Sequence, residues 1–401
     1  MKLAKVTFPI MAGFLFIAGI RLVGAPMVTL GKHAALHVEG DLELKSLSNI
    51  TMAVDNKKAR SDTIISFTPG LQFTLFEQSP HINFSLAARR SFIHFLDEDY
   101  FNEEPWNIAF QTGYNGDLFS LNAFYVTRET MQNISSEVYE SPSNARLEDD
   151  IVQSTLENFG LNFHIAFSPK TGFRSGVTWT GTNYAPDKNG NDNFRDLKEM
   201  VIPFTLFYKV TPKLESSLGY RLRRNDVEKW PNGDLGPKYT DHYLHVSLLG
   251  HVTAKTDVQV VVGYQNRNLR KNDPQHSFAT DVHWKFMATE KLHLRAGLFR
   301  DFSVGSKEGA TIEISSANAG FDLLFNRALT LNTKGQIRHS EYSTGRKDLG
   351  VNGGATLTLK PSKSHWEFRT GYRYDWSEFK MSGDSYDYKN HNFSLGSSFL
   401  Y

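Results

Sequence analysis

The feature that most constrains this chain is an alternation of apolar and polar residues that recurs in segment after segment. In residues 366–376 the even positions read Trp, Phe, Thr, Tyr, Tyr and Trp, whereas the odd positions include Glu367, Arg369, Arg373 and Asp375. Successive side chains of a β-strand point to opposite faces, so a period of two predicts a strand with one apolar and one charged face. The charges at nearly every second position predict that the polar face meets water.

The same pattern recurs from Ala34 to Tyr401. It predicts an all-β chain of about eighteen antiparallel strands, with sixteen as the alternative. No long helical period competes with it. The predicted strands begin near Ala34, Asp62, Ile82, Trp106, Leu118, Ser154, Phe173, Asp196, Leu214, Tyr239, Asp257, His276, Leu292, Thr311, Leu329, Asp348, Trp366 and Tyr386.

The connections between these strands alternate between short and long. Thr211 to Lys213 and Asn326 to Ala328 are short and made of turn-forming residues, whereas Leu96 to Pro105 and Met131 to Gln153 are too long for hairpin turns. Short turns on one rim and long loops on the other are typical of a transmembrane antiparallel up-and-down β-barrel. An even number of strands places both ends of the barrel chain on the short-turn, periplasmic rim.

Composition excludes several other classes. A mean hydropathy of −0.39 is too low for a bundle of membrane-spanning helices, but it suits a barrel whose strands face a wet lumen on one side. The formal net charge is +1, so the basic excess of nucleic-acid-binding proteins is missing and no nucleic-acid partner is expected. The chain has no cysteine, which excludes disulfides and thiolate ligands. We expect no metal and no cofactor.

The N-terminus predicts secretion. Lys2 and Lys5 lead into an apolar run from Val6 to Ile20, and the small residues Gly24 and Ala25 follow. This is the layout of a signal peptide, and the run is too short for a spanning helix. We therefore expect a signal peptide over residues 1–25, a short periplasmic segment over 26–33 and the barrel over 34–401.

The C-terminus carries a second membrane signal. Phe393, Leu395, Phe399 and the terminal Tyr401 fall on one face of the last predicted strand. This arrangement resembles the last strand of bacterial outer-membrane proteins. The resemblance implies recognition by the barrel-assembly machinery and a location in the cell outer membrane, with outer-membrane lipid and lipopolysaccharide as surroundings.

The first two predicted strands resemble a known family. Glu39-Gly40-Asp41-Leu42, Asn49-Ile50-Thr51 and the segment Ser61 to Leu71, with its Pro69-Gly70 pair, are similar to the opening of the second β-barrel porin family. The similarity extends loosely over residues 34–401. It implies a porin-like channel, and, because some members lie in surface-polysaccharide export systems, a role in polysaccharide export is the alternative.

Charged residues on the polar faces are the candidate functional residues. The predicted lumen-lining set contains the basic residues Arg221, Arg223, Lys285, Arg295, Lys334, Arg338, Arg369 and Arg373 and the acidic residues Glu215, Asp281, Glu367 and Asp375. Rings of Arg or Lys favour anions, so eight basic against four acidic residues predict passage of small hydrophilic or anionic solutes. Two alternatives stay open: the charges only solvate the wall, or the barrel is structural and does not conduct.

A few residues are candidates for an enzymatic role. Asp149-Asp150 and Asp241-His242 are reminiscent of the acidic and Asp-His pairs of outer-membrane proteases, but the surrounding residues do not match that class. The acidic loop formed by Asp97, Glu98, Asp99, Glu103 and Glu104 is a candidate for divalent cations or a surface partner, although such clusters are usually solvated loops. We expect no enzymatic activity.

Overall fold

The computed structural model describes residues 27–400 except residues 32, 51–58, 78, 133–151, 187–193, 229–235, 270–273, 306–309, 362–363 and 382. The predicted signal peptide, the loop with Asp149 and Asp150, and the terminal Tyr401 lie outside the described residues.

Most described residues belong to one antiparallel sheet of twenty strands. The strands are β1 Val28–Leu30, β2 Ala34–Leu47, β3 Asp62–Leu75, β4 Ile82–Arg90, β5 Phe92–Phe95, β6 Trp106–Asn115, β7 Phe119–Gln132, β8 Val152–Ala166, β9 Thr171–Tyr184, β10 Leu197–Thr211, β11 Leu214–Val227, β12 Lys238–Thr253, β13 Thr256–Leu269, β14 Gln275–Met287, β15 Leu292–Val304, β16 Thr311–Leu324, β17 Leu329–Tyr342, β18 Lys347–Leu359, β19 Trp366–Met381 and β20 Asp384–Leu400. A short 3-10 helix, Asp99–Phe101, lies between β5 and β6.

The sheet closes on itself because β2 pairs with β20, from Glu39 opposite Leu400 to Leu47 opposite Asn392. Both β4 and β5 pair with β3, so together they act as one interrupted strand of the wall. With β1 set aside as a short addition to β2, the described strands form a closed barrel of eighteen strands. The predicted fold class is confirmed, and the larger of the two predicted strand numbers is correct.

Every predicted strand start lies within about two residues of an observed one, but two details differ. The N-terminal segment 26–33, for which no strand was predicted, contains β1, which pairs with β2 from Val28 opposite Leu36 to Leu30 opposite Ala34. The reason is that β20 reaches only as far as Glu39, which leaves the first residues of β2 with an open edge. The second difference is the break between β4 and β5 at Ser91, which the apolar-polar pattern does not predict.

The two rims of the barrel differ in their connections. One rim, the turn rim, has short turns such as residues 212–213 and 254–255, and the other, the loop rim, carries the connections 96–105 and 185–196. The loop rim also has two short connections near the C-terminus, a turn at residues 343–346 and the connection between Met381 and Asp384 that contains Gly383. Gly345 and Gly383 adopt positive φ angles of 90° and 96° there, which lets the strands pair up to a short turn. The strict alternation predicted from the sequence therefore fails for these last hairpins.

The outward face of the wall is apolar. Phe204, Tyr220, Leu244, Tyr264 and Phe278 follow one another across five paired strands, and Phe278 is 65% exposed. In a closed barrel every wall strand has partners on both sides, so its backbone needs no water, and an apolar belt on its outside matches lipid hydrocarbon. The described strands therefore form a membrane-spanning β-barrel. No helix within the described ranges is long and apolar enough to cross a membrane.

The rim assignment predicts a labelling pattern. Asp99, in the 96–105 connection, and Lys170, in a turn of the opposite rim, are both exposed, and the chain has no native cysteine. A single cysteine at Asp99 should react with an impermeant maleimide on intact cells, because long loops face outward in such barrels. A cysteine at Lys170 should react only after the outer membrane is permeabilised. Equal labelling of the two variants on intact cells would overturn this orientation.

Candidate functional site: the lumen wall and its loop-rim end

The twelve predicted lumen residues lie on five strands. They are Glu215, Arg221 and Arg223 on β11, Asp281 and Lys285 on β14, Arg295 on β15, Lys334 and Arg338 on β17, and Glu367, Arg369, Arg373 and Asp375 on β19. Along each strand they alternate with exposed apolar residues of the outer belt, such as Leu218, Trp284, Ile337 and Phe368. Because neighbouring residues of a strand point to opposite faces, the twelve share the inward face.

Most of the arginines in this set are paired with carboxylates that sequence reasoning left out. Arg295 lies 2.9 Å from Asp322, and Arg369 pairs with Asp41 on β2. Asp41 was identifiable in the sequence, since it alternates with the outward residues Leu42 and Leu44. The predicted balance of eight basic to four acidic residues therefore takes no account of these carboxylates, and much of the wall is a network of ion pairs.

Four of the basic residues form a row across the wall. Lys285 is paired with Arg295 on the neighbouring strand, and Arg295 with Gly320. Gly320 adjoins Lys334, which is paired with Gly354, and Gly354 is paired with Arg373. The basic row is therefore Lys285, Arg295, Lys334 and Arg373, with glycine on the two strands between. A glycine carries no side chain to cover its basic neighbours.

The basic row climbs the wall. Its members start close to the turn rim at Lys285 and reach the middle of β19 at Arg373. Barrel strands tilt against the axis, so a row perpendicular to the strands rises obliquely along the lumen. Strands lie about 4.8 Å apart, which puts Arg295, Lys334 and Arg373 at successive spacings of roughly 10 Å. Lys285 and Lys334 are exposed.

The loop-rim end of β15 and β16 leaves the wall. β14 and β15 pair only as far as Thr280 opposite Arg300, whereas β15 and β16 stay paired to Val304 opposite Thr311. Beyond Arg300 this hairpin crosses the inner surface of β11 to β14. Phe302 and Val304 are buried there, and Val304 packs with Val227 and Tyr239 on the wall. We call residues 301–305 together with residues 310–312 the inner hairpin; residues 306–309 lie outside the described part of the chain and are not included.

A buried charge network holds the inner hairpin. Asp301 accepts hydrogen bonds from Arg221 Nη2 at 3.1 Å and from Arg223 Nη1 at 3.1 Å, although β11 and β15 are separated by three strands of the wall. Asp241, which is fully buried, accepts hydrogen bonds from Arg223 and Arg267 at 2.7 Å. Two of the predicted lumen arginines are thus buried pairs and not free cations. No local sequence pattern joins residues so far apart.

Apolar side chains fill the loop-rim end on the inward face. Phe379 and Tyr388 on β19 and β20 are buried in one cluster with Phe101 and with Phe194 from the 185–196 connection. A second cluster contains Ile312 and Tyr342. In a wide and open mouth these inward residues would be exposed to water. Their burial shows that the described parts of the loop rim pack inward and narrow the lumen.

Asp241 and His242 do not form a catalytic pair. Asp241 points into the barrel, whereas His242 points outward and lies 2.7 Å from the Tyr220 hydroxyl. In the acidic loop, Glu98 pairs with Arg60 at 2.9 Å and Glu104 pairs with Arg90. Within the described ranges no group of three His, Cys, Asp or Glu side chains is arranged to hold a metal ion.

No family model and no curated protein matches the chain, so the resemblance to the second β-barrel porin family stays a prediction. Among solved structures, Pseudomonas aeruginosa OccK2 (OpdF), crystallised with glucuronate, has 10% identity and a TM-score of 0.49, covering 92% of this chain and 97% of its own. P. aeruginosa OpdO has 10% identity and a TM-score of 0.48, covering 92% of this chain and 97% of its own. Acinetobacter baumannii OccAB4 has 10% identity and a TM-score of 0.47, covering 92% of this chain and 99% of its own.

Proposed function

We propose that this barrel is an outer-membrane channel for small hydrophilic anions. The basic row carries the proposal, since four cationic side chains follow one another up the lumen wall from the turn rim. Cationic rings in a pore favour anions because they replace part of the anion's hydration. Spacings of about 10 Å are comparable to the Debye length at 0.1 M salt, so an anion leaving one member is still attracted by the next.

The test is charge reversal within the basic row. Lys285 and Lys334 are exposed, so replacing both by glutamate leaves no buried charge. In planar bilayers under a salt gradient, the reversal potential of the double variant should move toward cation selectivity. The shift should be larger at 0.1 M than at 1 M salt, because the Debye length falls from about 10 Å to about 3 Å.

The matched control reverses two charges on the outer surface. Lys198→Glu with Arg224→Glu changes the net charge equally, but both side chains are exposed and alternate with the inward residues Glu199 and Arg223. This variant should keep the native reversal potential. A native potential in a conducting Lys285/Lys334 variant would remove the basic row from the conduction path.

The apolar filling of the loop rim favours a second candidate, a barrel that does not conduct. This candidate predicts no current from the native protein or from variants that loosen the inner hairpin. Current only after loosening would instead identify a gated channel.

Both candidates share the proposal that residues 1–25 direct secretion and that the assembly machinery recognises β20, whose outward Phe393 and Leu395 are exposed. Neither assigns a catalytic role.

A further inference from the structure

We propose that Arg221 and Arg223 form a binding site for the carboxylate of a transported solute, and that Asp301 of the chain itself occupies this site in the present structure. The proposal rests on the proposed channel function and names the chemical class of its solute. It also makes the inner hairpin a tethered competitor of that solute.

The geometry around Asp301 is that of ligand recognition. One carboxylate receives Arg221 Nη2 at 3.1 and 3.4 Å, Arg223 Nη1 at 3.1 Å and Arg223 Nη2 at 3.2 Å. Guanidinium groups present a planar fork of donors, and two of them converging on one carboxylate is the arrangement by which proteins recognise carboxylate ligands.

The two arginines are fixed by the wall and do not depend on the hairpin for their position. Arg223 Nε donates to Asp241 at 2.7 Å, and the Arg221 guanidinium lies 4.6 Å from the centre of the Tyr243 ring. Both partners are on β12, the strand next to β11. The wall therefore supplies both guanidiniums, and the hairpin supplies the acceptors, which are the Asp301 carboxylate and the Phe302 carbonyl oxygen.

Among the described residues, the β15 side of the inner hairpin has few polar contacts to the wall. Beyond Arg300, β15 has lost its pairing with β14, and besides Asp301 the carbonyl oxygens of Phe302 and Ser303 accept hydrogen bonds from Arg223 and Arg267. The β16 side stays paired with β17 from Ile312 opposite Tyr342, so only the β15 side has lost its neighbour in the wall. The carboxylate of a solute is the same hydrogen-bond acceptor as the Asp301 side chain. A solute can therefore bind the two arginines only when the hairpin releases them, so binding of the solute and displacement of the hairpin are coupled.

Charge decides which solutes can compete. Around the site, Arg221, Arg223 and Arg267 face the buried carboxylates Asp241 and Asp301, and Glu199 stands 4.0 Å from Arg223. Removing Asp301 leaves a buried positive charge without its partner, which is costly. A carboxylate solute restores that partner and a neutral solute does not, so carboxylates should displace the hairpin selectively.

The experiment measures release of the hairpin directly. A single cysteine at Val304, which is buried against the wall, reports opening through its rate of reaction with an impermeant maleimide on the purified, folded barrel. Succinate should accelerate labelling and its neutral analogue succinamide should not. Asp301→Asn in the same background should accelerate labelling without succinate by at least about tenfold, because it removes the charge from the acceptor of hydrogen bonds that hold the hairpin.

Asp226→Asn is the matched control, because Asp226 lies on β11 near Arg223 but pairs with Lys238 on the outer surface. It should leave labelling unchanged. Equal labelling with succinate, succinamide and no addition would overturn the proposal, even if Asp301→Asn does not fold. The outcome is separate from conduction: a barrel without current whose Val304 cysteine responds to succinate retains the site and loses the channel function.

Discussion

Replacing Asp241 with asparagine should be among the most destabilising conservative changes in this barrel. Asp241 is fully buried and accepts hydrogen bonds from Arg223 and Arg267, both at 2.7 Å. Its loss takes the carboxylate away from Arg267 and leaves Arg223 to share the Asp301 carboxylate with Arg221. Breaking a buried ion pair by removing one partner typically costs about 3–5 kcal/mol, mostly because the remaining charge is desolvated and uncompensated.

The measurement is the urea concentration at the midpoint of unfolding, in detergent or lipid. The folded fraction is read from the difference in gel mobility between folded and heated protein. Asp226→Asn is the control, since the pair between Asp226 and Lys238 is exposed and such pairs contribute at most about 1 kcal/mol. A combined Asp241→Asn and Arg267→Met variant should be more stable than Asp241→Asn alone, because it removes one of the stranded charges. Similar midpoints for the two single asparagine variants would show that the network is hydrated.

The sequence predicts the wall well because each strand is decided locally. Lipid outside and water inside impose the period of two on every strand, so a pattern such as that of residues 366–376 identifies both the strand and its faces. Turn residues set the strand ends, as at 212–213 between β10 and β11. The fold class, the strand starts and the shared face of the charged residues all follow from this local rule.

The structure of the loop-rim end could not be predicted, because the alternation of outward apolar and inward polar residues does not hold beyond the membrane. Phe379 and Tyr388 are aromatic yet point inward, since there they stack on each other within a buried cluster and do not face lipid. The contact of Asp301 with Arg221 joins strands that are not adjacent, and it exists only because β15 leaves β14 after Arg300. Such contacts depend on tertiary packing, which neither the periodicity of apolar residues nor the turn-forming residues can predict.

The difference between the two faces of the wall gives the second large effect. Leu161 and Asn162 are neighbours on β8, and the pairing register directs Leu161 outward with Phe159 and Asn162 inward with Asn122 and Gly176. On the outward face Leu161 lies between the polar Glu157 and the exposed Phe167, which places it near the middle of the apolar belt.

Leu161→Arg should therefore destabilise the barrel by about 2–4 kcal/mol, the cost of an arginine near the bilayer midplane, because the guanidinium must lie in hydrocarbon or distort the lipid around it. Asn162→Arg places the same charge in the lumen, where water solvates it, and should cost much less. Urea midpoints of the two variants in bilayers of one thickness compare the two faces directly, since chain, strand and introduced residue are the same. If Asn162→Arg proved the more destabilising, the inward and outward faces of β8 would have to be exchanged. The faces assigned to every neighbouring strand would then have to be exchanged as well, because residues paired across antiparallel strands point to the same side of the sheet.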